Sequence, residues 1–314
     1  MISTVLIYHP EDGARIAELL GRRQPELTIY LATHADQVAT HLPYADALLT
    51  KSNFPIDTLV SARRLRWIQL MAAGADRFTA APHGLRGIRV TRLVGTFGLR
   101  IAEYVFAYLL AVHQGIPRVL QQQAERRWAS FHPEFLRGKT LLLVGVGQVG
   151  QAIGALGGAF GMEVLGIARR QRNAKGLVSV LPTARLGEAL RLADVVALSV
   201  PLTATTRGMF GVAEFEAMRP GSIFINVGRG AVVQEEALIE GLRRYQPAWA
   251  ILDVFAQEPL PGDSLLWRLP NAIATPHLAG HTVPEEAIDA FCDNLARLRA
   301  GRRLRHVVNV KRGY

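Results

Sequence analysis

The chain has 314 residues, of which 36 are basic and 26 acidic, so its formal net charge is +10. Apolar residues make up 49% of it, which excludes a disordered chain, and the length suits about two globular domains. Cys292 is its one cysteine, so an intrachain disulfide framework and a cysteine-based zinc site are excluded. The sequence pI near 10.3 raises nucleic acid, an anionic membrane or an anionic small molecule as partners.

Short apolar runs and helical patterns alternate along the first third of the chain. Strands are predicted at 5–8, 27–31, 45–49, 67–71 and 88–90. Helices are predicted at 14–20, 35–42 and 56–65, and then at 97–112 and 121–127. Repeated short apolar strands separated by helices predict an α/β fold, with a parallel sheet that has helices on both faces.

The same alternation starts again near residue 140 and continues to about residue 276. Strands are predicted at 141–144, 164–168, 195–200, 222–227, 249–254 and 272–275. A long amphipathic helix is predicted at 284–300. We therefore predict a second α/β unit inserted into the first, with helix 284–300 returning the chain to the first domain.

Residues 141–162 carry no charge and are numerous enough to span a bilayer. Seven of them are glycine, however, and Gln148 and Gln151 interrupt the run. A strand, a glycine turn and a small-residue helix explain this segment better than a membrane span. The first residues lack the basic and apolar regions of a signal peptide, so we expect a cytoplasmic protein without a membrane partner.

A G-x-G-x-x-G motif at Gly145, Gly147 and Gly150 follows strand 141–144 and opens a predicted helix. In this context the motif predicts dinucleotide binding, because each glycine has a separate task. The first allows a tight turn, the second lets the backbone approach a pyrophosphate, and the third lets the helix pack on the strand. The phosphates are then expected at the amide groups of the helix amino terminus. The alternative is that the glycines serve only helix–sheet packing.

The end of the next strand indicates which dinucleotide binds. A carboxylate there accepts hydrogen bonds from a ribose 2′-hydroxyl, but this chain has Arg169 and Arg170, with Arg172 and Lys175 beyond. Guanidinium groups suit a 2′-phosphate, so we expect NADP as the cofactor, with NADPH preferred over NADH. The alternative is a solvated basic loop.

Three polar clusters follow later strands of the second unit: 226–230 with Arg229, 253–259 with Asp253 and Glu258, and 275–277 with His277. Strand ends are where ligands bind in open α/β sheets. An Arg can bind a substrate carboxylate and polarise a carbonyl, a His can donate a proton, and a carboxylate can orient the His. Together these are the groups needed to reduce a 2-keto acid. Taken singly, each has a structural alternative: a surface Arg, a helix-capping Asp or a structural His.

The sequence resembles the D-2-hydroxyacid dehydrogenase family over essentially its whole length. The segments that carry the resemblance are 201–206, 218–230, 235–238, 252–255, Glu258 with Pro259, and Pro276 with His277. The resemblance implies two doubly wound parallel-sheet domains, with a Rossmann-type cofactor domain inserted into a flavodoxin-like substrate domain. The substrate-binding domain is then expected at 1–98 plus 285–314, and the dinucleotide-binding domain at 99–284.

The resemblance also implies site residues. Arg229, Glu258 and His277 form the catalytic set, and the amides of Ala73 and Gly74, with Arg229 and His277, hold the substrate. Cofactor contacts beyond the motif glycines and the two arginines are implied at Gln148, Val149, Val200, Pro201, Thr206, Val227, Gly228, Asp253 and Gly280.

Within the family, the chain is most similar to the NADPH-dependent glyoxylate/hydroxypyruvate reductase A group. The residues behind this are Tyr8-His9-Pro10, 73–76, Leu266-Trp267 and the terminal Arg312-Gly313-Tyr314. The implied reaction is hydride transfer from NADPH to glyoxylate or hydroxypyruvate, giving a D-2-hydroxy acid without a metal. The implied assembly is a homodimer, in which Trp128, Phe131 and Phe135 either form the contact or pack within the chain.

Two alternatives to this reaction stay open. Phosphoglycerate dehydrogenase or another 2-keto acid reductase is the alternative among enzymes, whereas formate dehydrogenase is disfavoured because its relatives carry Gln where this chain has Glu258. A nucleotide-sensing binding or regulatory protein is the alternative from another class, because fold alone does not fix function. No helix-turn-helix, zinc or aromatic–basic sheet motif favours nucleic acid as a partner.

Overall fold

The structure is a computed structural model that describes residues 2–81, 85, 87–95, 97–171, 174, 176–310 and 312–313. The chain divides into two compact units. Unit 1 comprises Met1–Thr96 and Thr282–Tyr314, and unit 2 comprises Phe97–His281. The divisions that we predict after residues 98 and 284 lie within three residues of these.

The described strands, in chain order, are Thr4–Tyr8 (β1), Thr28–Ala32 (β2), Ala47–Thr50 (β3), Trp67–Leu70 (β4), Arg89–Arg92 (β5), Thr140–Val144 (β6), Glu163–Ala168 (β7), Ser179–Pro182 (β8), Val195–Leu198 (β9), Ile223–Asn226 (β10), Trp249–Leu252 (β11) and Ala272–Ala274 (β12). The described α-helices are Gly13–Arg23 (α1), Ala35–His41 (α2), Asp76–Ala80 (α3), Phe97–His113 (α4), Ile116–Ala124 (α5), Gln148–Ala159 (α6), Leu186–Leu190 (α7), Val212–Ala217 (α8), Glu235–Arg243 (α9) and Pro284–Arg299 (α10).

The sheet of unit 1 is parallel and has the order β2-β1-β3-β4-β5. This is the flavodoxin-like order. The chain places β2 on one side of β1 and then β3, β4 and β5 on the other side, so the strand order reverses between β1 and β3. Its inner strands β3 and β4 are buried along their whole length, as expected for strands covered on both faces of a sheet. Helix α10 joins this unit through Phe291, whose ring stacks on Trp67 with centroids 4.6 Å apart.

The sheet of unit 2 is also parallel and has the order β12-β11-β10-β9-β6-β7-β8. This is the Rossmann order with one further strand, and its reversal lies between β6 and β9. Helix α6 packs closely on β6, because a Cβ at Gly157 would lie 2.8 Å from Leu141 and a Cβ at Gly154 would lie 3.0 Å from Leu143. The small-residue helix predicted after the glycine turn is therefore confirmed, together with the fold class.

Two predicted elements differ in the structure, and one strand was not predicted. The predicted helix at 56–65 is a short 3₁₀ segment, Ile56–Ser61. The predicted helix at 121–127 is wrong in its bounds, because α5 begins earlier with Pro117 in its first turn, where the missing N–H is tolerated, and ends before Arg126. Strand β8 has no predicted counterpart. Among the described residues, no helix is both long and apolar enough to cross a membrane.

In each sheet, one aspartate joins the amino ends of the two strands between which the strand order reverses. Asp46, which precedes β3, accepts the amides of Ser3 and Thr4 on one carboxylate oxygen, at 3.0 Å each, and Arg64 at 3.1 Å on the other. Asp194, which precedes β9, likewise accepts the Thr140 amide at 2.8 Å. Each carboxylate therefore fixes the relative position of the strands between which the sheet reverses.

Asp46→Asn is expected to lower the stability of the protein at neutral pH. The Asp46 side chain is 2% exposed. Burial acts to raise its pKa, but the hydrogen bonds from Ser3 and Thr4, with the charge of Arg64, hold the pKa below the usual 3.8. Since losing hydrogen bonds to a buried charge costs roughly 1–3 kcal/mol, we expect a loss of that size in urea unfolding at pH 7.

This stabilisation is complete above the usual aspartate pKa and disappears as the pH falls through the lower folded-state pKa of Asp46. The stabilities of the two proteins should therefore converge in acid. A difference that stays constant from neutral pH into acid would contradict this role of the carboxylate.

Candidate active site

The predicted site residues of unit 2 follow the carboxyl ends of its strands. The glycine turn (residues 145–150) follows β6, Arg169 and Arg170 follow β7, and Val200 to Thr206 follow β9. The remaining ones follow the strands on the other side of the reversal: Val227, Gly228 and Arg229 after β10, Asp253 and Glu258 after β11, and His277 and Gly280 after β12. Parallel strands bring these ends to one edge of the sheet, where open α/β sheets bind their ligands.

The glycine turn depends on the absence of side chains at two positions. Gly145 has a φ of +103°, and its carbonyl oxygen accepts the Ser199 hydroxyl at 3.0 Å. A Cβ at Gly150 would overlap that same carbonyl oxygen. Both glycines are therefore required by the protein's own packing, the first for its backbone conformation and the second for the close approach of α6 to β6.

Gly147 is different, because packing does not require it. It caps α6 in an extended conformation, it is exposed, and a Cβ built on it meets no protein atom within 4 Å. The exposed Gln148 and the half-buried Val149 form the first turn of α6, whose amides point along the helix axis. Open space beside a helix amino terminus fits a pyrophosphate that approaches the backbone closely.

Arg169 and Arg170, the basic pair after β7, are both exposed. Arg169 and Arg170 lie directly beyond Ala168, the last residue of the strand. Arg172 and Lys175, which belong to the same predicted basic loop, lie outside the described residues. No carboxylate stands at 169–171.

The turn after β9 is fixed by one threonine. The Thr206 hydroxyl donates to the Pro201 carbonyl oxygen at 2.6 Å and accepts the Thr203 amide at 2.8 Å. The neighbouring turn after β10 packs directly against it, since a Cβ at Gly228 would lie 2.9 Å from the Val200 carbonyl oxygen. These two predicted cofactor segments therefore adjoin.

Arg229 lies in a turn that Asn226 closes. The Asn226 side chain accepts the Gly228 amide at 3.0 Å and donates to the Arg229 carbonyl oxygen at 3.2 Å. The half-buried Arg229 guanidinium donates to the Gly228 carbonyl oxygen at 2.8 Å. Gly230 follows without room for a side chain, because a Cβ there would overlap the Phe255 carbonyl. The close approach brings the Arg229 turn next to the segment that carries Glu258.

Asp253 organises the loop that carries His277. Its carboxylate is 2% exposed and accepts the Thr275 hydroxyl at 2.6 Å, the Leu278 amide at 2.9 Å and the Ala279 amide at 3.0 Å. His277 lies between these anchors with a φ of +51°, a region that residues other than glycine seldom adopt. Both Asp253 oxygens thus hold the 275–279 loop, and its predicted cofactor contact stays a prediction.

The structure brings His277 and Glu258 together. His277 Nδ1 lies 2.7 Å from Glu258 Oε2, and Glu258 Oε1 accepts the Phe255 amide at 3.0 Å. Burial acts to raise the pKa of Glu258, but these two hydrogen bonds and the charges of His277 and Arg229 hold it below its usual 4.5. The ionised carboxylate therefore orients the imidazole through Nδ1 and leaves Nε2 as the atom that can donate a proton.

Tyr104 is a site residue that the sequence patterns did not indicate. Its hydroxyl is 2.7 Å from the Thr275 hydroxyl, which itself donates to Asp253. Burial raises the pKa of Tyr104 well above its usual value, so it stays a neutral phenol. It lies on the apolar helix α4, and periodicity alone cannot show that one ring of such a helix meets a loop 171 residues away.

The two predicted substrate-binding residues outside unit 2 belong to unit 1. Ala73 and Gly74 lie in the loop of residues 71–74 (the 71–74 loop), which follows β4 at the carboxyl end of its sheet. Both are half-buried.

One group of three possible metal ligands lies close together among the residues that the structure describes: His9, Glu11 and Asp12. His9 Nδ1 accepts the amides of Glu11 and Asp12, at 3.3 and 2.9 Å. A neutral imidazole has one acceptor nitrogen, so the proton is on Nε2 and neither ring nitrogen has a lone pair for a metal. This cluster does not fit a metal site.

The comparisons with known proteins support the same interpretation. Residues 106–279 match the family described as "D-isomer specific 2-hydroxyacid dehydrogenase, NAD binding domain". A glyoxylate reductase from Korarchaeum cryptofilum is 33% identical over 84% of this chain and 82% of its own. The chain belongs to the D-isomer specific 2-hydroxyacid dehydrogenase family. It is therefore an NAD(P)-dependent enzyme of that family, as the sequence predicted.

Two solved structures extend this similarity over the whole chain. A 2-hydroxyacid dehydrogenase from Xanthobacter autotrophicus, in complex with NADPH and MES, is 30% identical and covers all of both chains with a TM-score of 0.90. An NADPH-dependent glyoxylate/hydroxypyruvate reductase from Sinorhizobium meliloti, in complex with NADP and sulfate, is 26% identical. That likeness covers 99% of this chain and 100% of the other, also with a TM-score of 0.90. Dehydrogenases of this family thus share both sheets of this chain.

Substitution of two glycines should separate cofactor binding from packing. Gly147→Ala is expected to keep the wild-type Tm and to weaken NAD(P)H binding at least about tenfold, ~1.4 kcal/mol, because its methyl group meets the nucleotide and no protein atom. Gly150→Ala, the matched control, should lower the stability by about 1–3 kcal/mol through overpacking. Titration calorimetry and thermal unfolding measure the two effects. If the Gly147→Ala protein binds NAD(P)H as tightly as the wild type, the pyrophosphate does not bind next to residue 147.

Proposed function

We propose that this dehydrogenase reduces small 2-keto acids, glyoxylate or hydroxypyruvate, to D-2-hydroxy acids with NADPH. The observation that carries the proposal is the 2.7 Å contact between His277 Nδ1 and Glu258, with the Arg229 turn packed beside it. A proton donor, an ionised partner and a guanidinium are the groups that carbonyl reduction of an acid requires. The relatives described as glyoxylate or hydroxypyruvate reductases support the substrate class.

Each residue has one proposed task. Arg229, together with the amides of Ala73 and Gly74, binds the substrate carboxylate and places the keto group. His277 donates the Nε2 proton to the oxygen that becomes the hydroxyl, and Glu258 stabilises the orientation of the imidazole. A bound nicotinamide nucleotide supplies the hydride. In this scheme unit 1 serves the substrate and unit 2 the dinucleotide, as expected for the two domains.

The preference for NADPH rests on the residues after β7. Arg169 and Arg170 are exposed at the strand end where a carboxylate would receive a 2′-hydroxyl. A 2′-phosphate gains a charge-assisted hydrogen bond from a guanidinium there and meets no repelling carboxylate. The solved relatives in complex with NADPH or NADP support this assignment.

His277→Gln is expected to lower kcat for glyoxylate by about 10²–10⁴-fold, the usual contribution of a positioned general acid, with little change in NADPH affinity. Glu258→Gln should lower kcat less, because the imidazole stays in place but loses its ionised partner. Steady-state kinetics measure both. His34→Gln, an exposed histidine in unit 1, is the matched control. A His277→Gln protein with near wild-type turnover would contradict the assignment.

Arg169→Ala should raise the KM for NADPH by about tenfold, the scale of one charge-assisted hydrogen bond, and leave the KM for NADH unchanged. Arg191→Ala, which removes an exposed arginine beyond α7, serves as the control for the loss of charge. Parallel kinetics with the two nucleotides measure the effect. A wild-type kcat/KM for NADH equal to or higher than that for NADPH would contradict the preference for NADPH.

We also infer a homodimer. Trp128 is fully exposed and Phe135 is 76% exposed, and three apolar side chains of α5 are exposed nearby in the chain. These are Ile116, Val119 and Leu120. Phe131 instead lies under Arg118, 4.5 Å from the guanidinium carbon to the ring centroid, so it packs within the chain. The cytoplasmic location stays a prediction.

A further inference from the structure

Three successive carbonyl groups of the 71–74 loop accept hydrogen bonds from other segments of the chain. The Met71 carbonyl oxygen accepts the Thr282 hydroxyl at 2.7 Å, and the Ala72 carbonyl oxygen accepts the Leu93 amide at 3.1 Å. The Ala73 carbonyl oxygen accepts Nη1 of Arg92 at 2.8 Å. All of these groups belong to unit 1, and the guanidinium is the one charged donor of the three.

The geometry of the peptide bond turns these contacts into an orientation of the loop amides. In a trans peptide unit, the carbonyl of one residue and the N–H of the next lie in one plane and point in opposite directions. The Leu93 bond to the Ala72 carbonyl therefore directs the N–H of Ala73 away from β5. The Arg92 bond to the Ala73 carbonyl does the same for the N–H of Gly74. The Ala73 and Gly74 amides are the two assigned to the substrate carboxylate. Each belongs to a peptide unit whose carbonyl oxygen accepts a hydrogen bond from Leu93 or Arg92.

Arg92 is itself well anchored. It is the last residue of β5, it pairs in register with Leu70, and its backbone amide donates to the His306 carbonyl oxygen at 3.1 Å. Its side chain lines a cavity of about 250 Å³ together with Arg305 and His306. Burial, together with the charges of Arg92 and Arg305, lowers the pKa of His306, so His306 adds little positive charge at neutral pH.

A cation at this position does more than hold the loop. A hydrogen bond from a charged donor is stronger than a neutral one, and it polarises the peptide group that accepts it. The Gly74 N–H on the far side of the same peptide group becomes a better donor toward an anion. A carboxylate at this amide therefore benefits from the Arg92 charge without contacting it.

We propose that Arg92 is a positioning residue for substrate binding: it orients and polarises the Ala73–Gly74 peptide so that the Gly74 amide binds the substrate carboxylate. This inference rests on the proposed function, because it takes the 71–74 loop as the carboxylate site. It assigns to Arg92 an effect on the affinity for carboxylate-bearing ligands, with the proton and hydride transfers left to other groups.

Two variants and a control test the proposal. Arg92→Met removes the donor and the charge at similar length, and Arg92→Lys keeps a charged donor without the planar fork. Arg89→Met removes an exposed arginine at the opposite end of the same strand. The KM and kcat for glyoxylate, the KM for NADPH and the thermal stability are measured for each. Binding of oxamate, an unreactive carboxylate analogue, is followed through the fluorescence of enzyme-bound NADPH.

The expected result is that Arg92→Met raises the KM for glyoxylate and the oxamate dissociation constant by about tenfold or more, the scale of one charge-assisted hydrogen bond. Its kcat should stay within about threefold, since transition-state proton transfer is not touched. The Lys variant should fall between, and the Arg89 variant should match the wild type. A merely structural role would lower the Tm and kcat without this selective loss of carboxylate affinity.

The proposed function and the role of Arg92 are overturned by different results. Wild-type protein that neither reduces a 2-keto acid nor binds oxamate would overturn the proposed function. Wild-type protein that does both, with an Arg92→Met variant of equal KM and equal oxamate affinity, would overturn the role of Arg92 alone. If Arg92→Met does not fold, Arg92→Lys decides: a KM for glyoxylate equal to that of the wild type would then refute the proposal, and a selective rise would support it.

Discussion

The carboxylate of Asp253 is the constraint on which the candidate active site depends. It is buried directly after β11, and the Thr275 hydroxyl and two successive amides satisfy its oxygens. A buried carboxylate that lost these donors would be costly, so the 275–279 loop has little freedom to take another shape. His277 is held within that loop in a conformation its residue type seldom adopts, and this places its Nδ1 on Glu258. The proposed acid is thus positioned by the backbone as much as by its own partner.

In both units, polar side chains hold backbone groups in place at the two ends of the strands. At the amino ends, Asp46 and Asp194 bind backbone amides and fix the strands between which each sheet reverses. At the carboxyl ends, side-chain donors and acceptors hold peptide groups of the loops that follow the strands. Asp253 does this for the His277 loop, and Arg92 does it for the 71–74 loop, which we propose as the carboxylate site. Fixing peptide groups before the ligand arrives reduces the entropy that binding must overcome.

The sequence predicted both sheets because nearly every strand is a short apolar run between helical segments, the pattern that local periodicity records best. It could not place β8, Ser-Val-Leu-Pro, which is short and lies at the edge of its sheet. The proposed catalytic residues Arg229, Glu258 and His277 could be located from residue types at strand ends, and their roles stay a prediction. The supporting contacts were not: Tyr104 with Thr275, and Arg92 with Ala73, join segments that only the tertiary fold brings together. Neither Tyr104 nor Arg92 is part of a motif, so nothing in the local sequence distinguishes them from a core tyrosine and a surface arginine.

The charge of +10 first suggested a polyanion, but particular guanidinium groups have more specific proposed tasks. Arg169, Arg170, Arg229 and Arg92 each serve a small anion in this account, either directly or through a peptide group. The proposed function is tested most directly by the initial rate of NADPH oxidation by the wild-type protein with a panel of acids: glyoxylate, hydroxypyruvate, pyruvate, phenylpyruvate and phosphohydroxypyruvate. We expect the highest kcat/KM for glyoxylate or hydroxypyruvate, with NADH a poorer donor than NADPH. The proposed function would be contradicted if none of these acids supported NADPH oxidation, or if phosphohydroxypyruvate gave the highest kcat/KM.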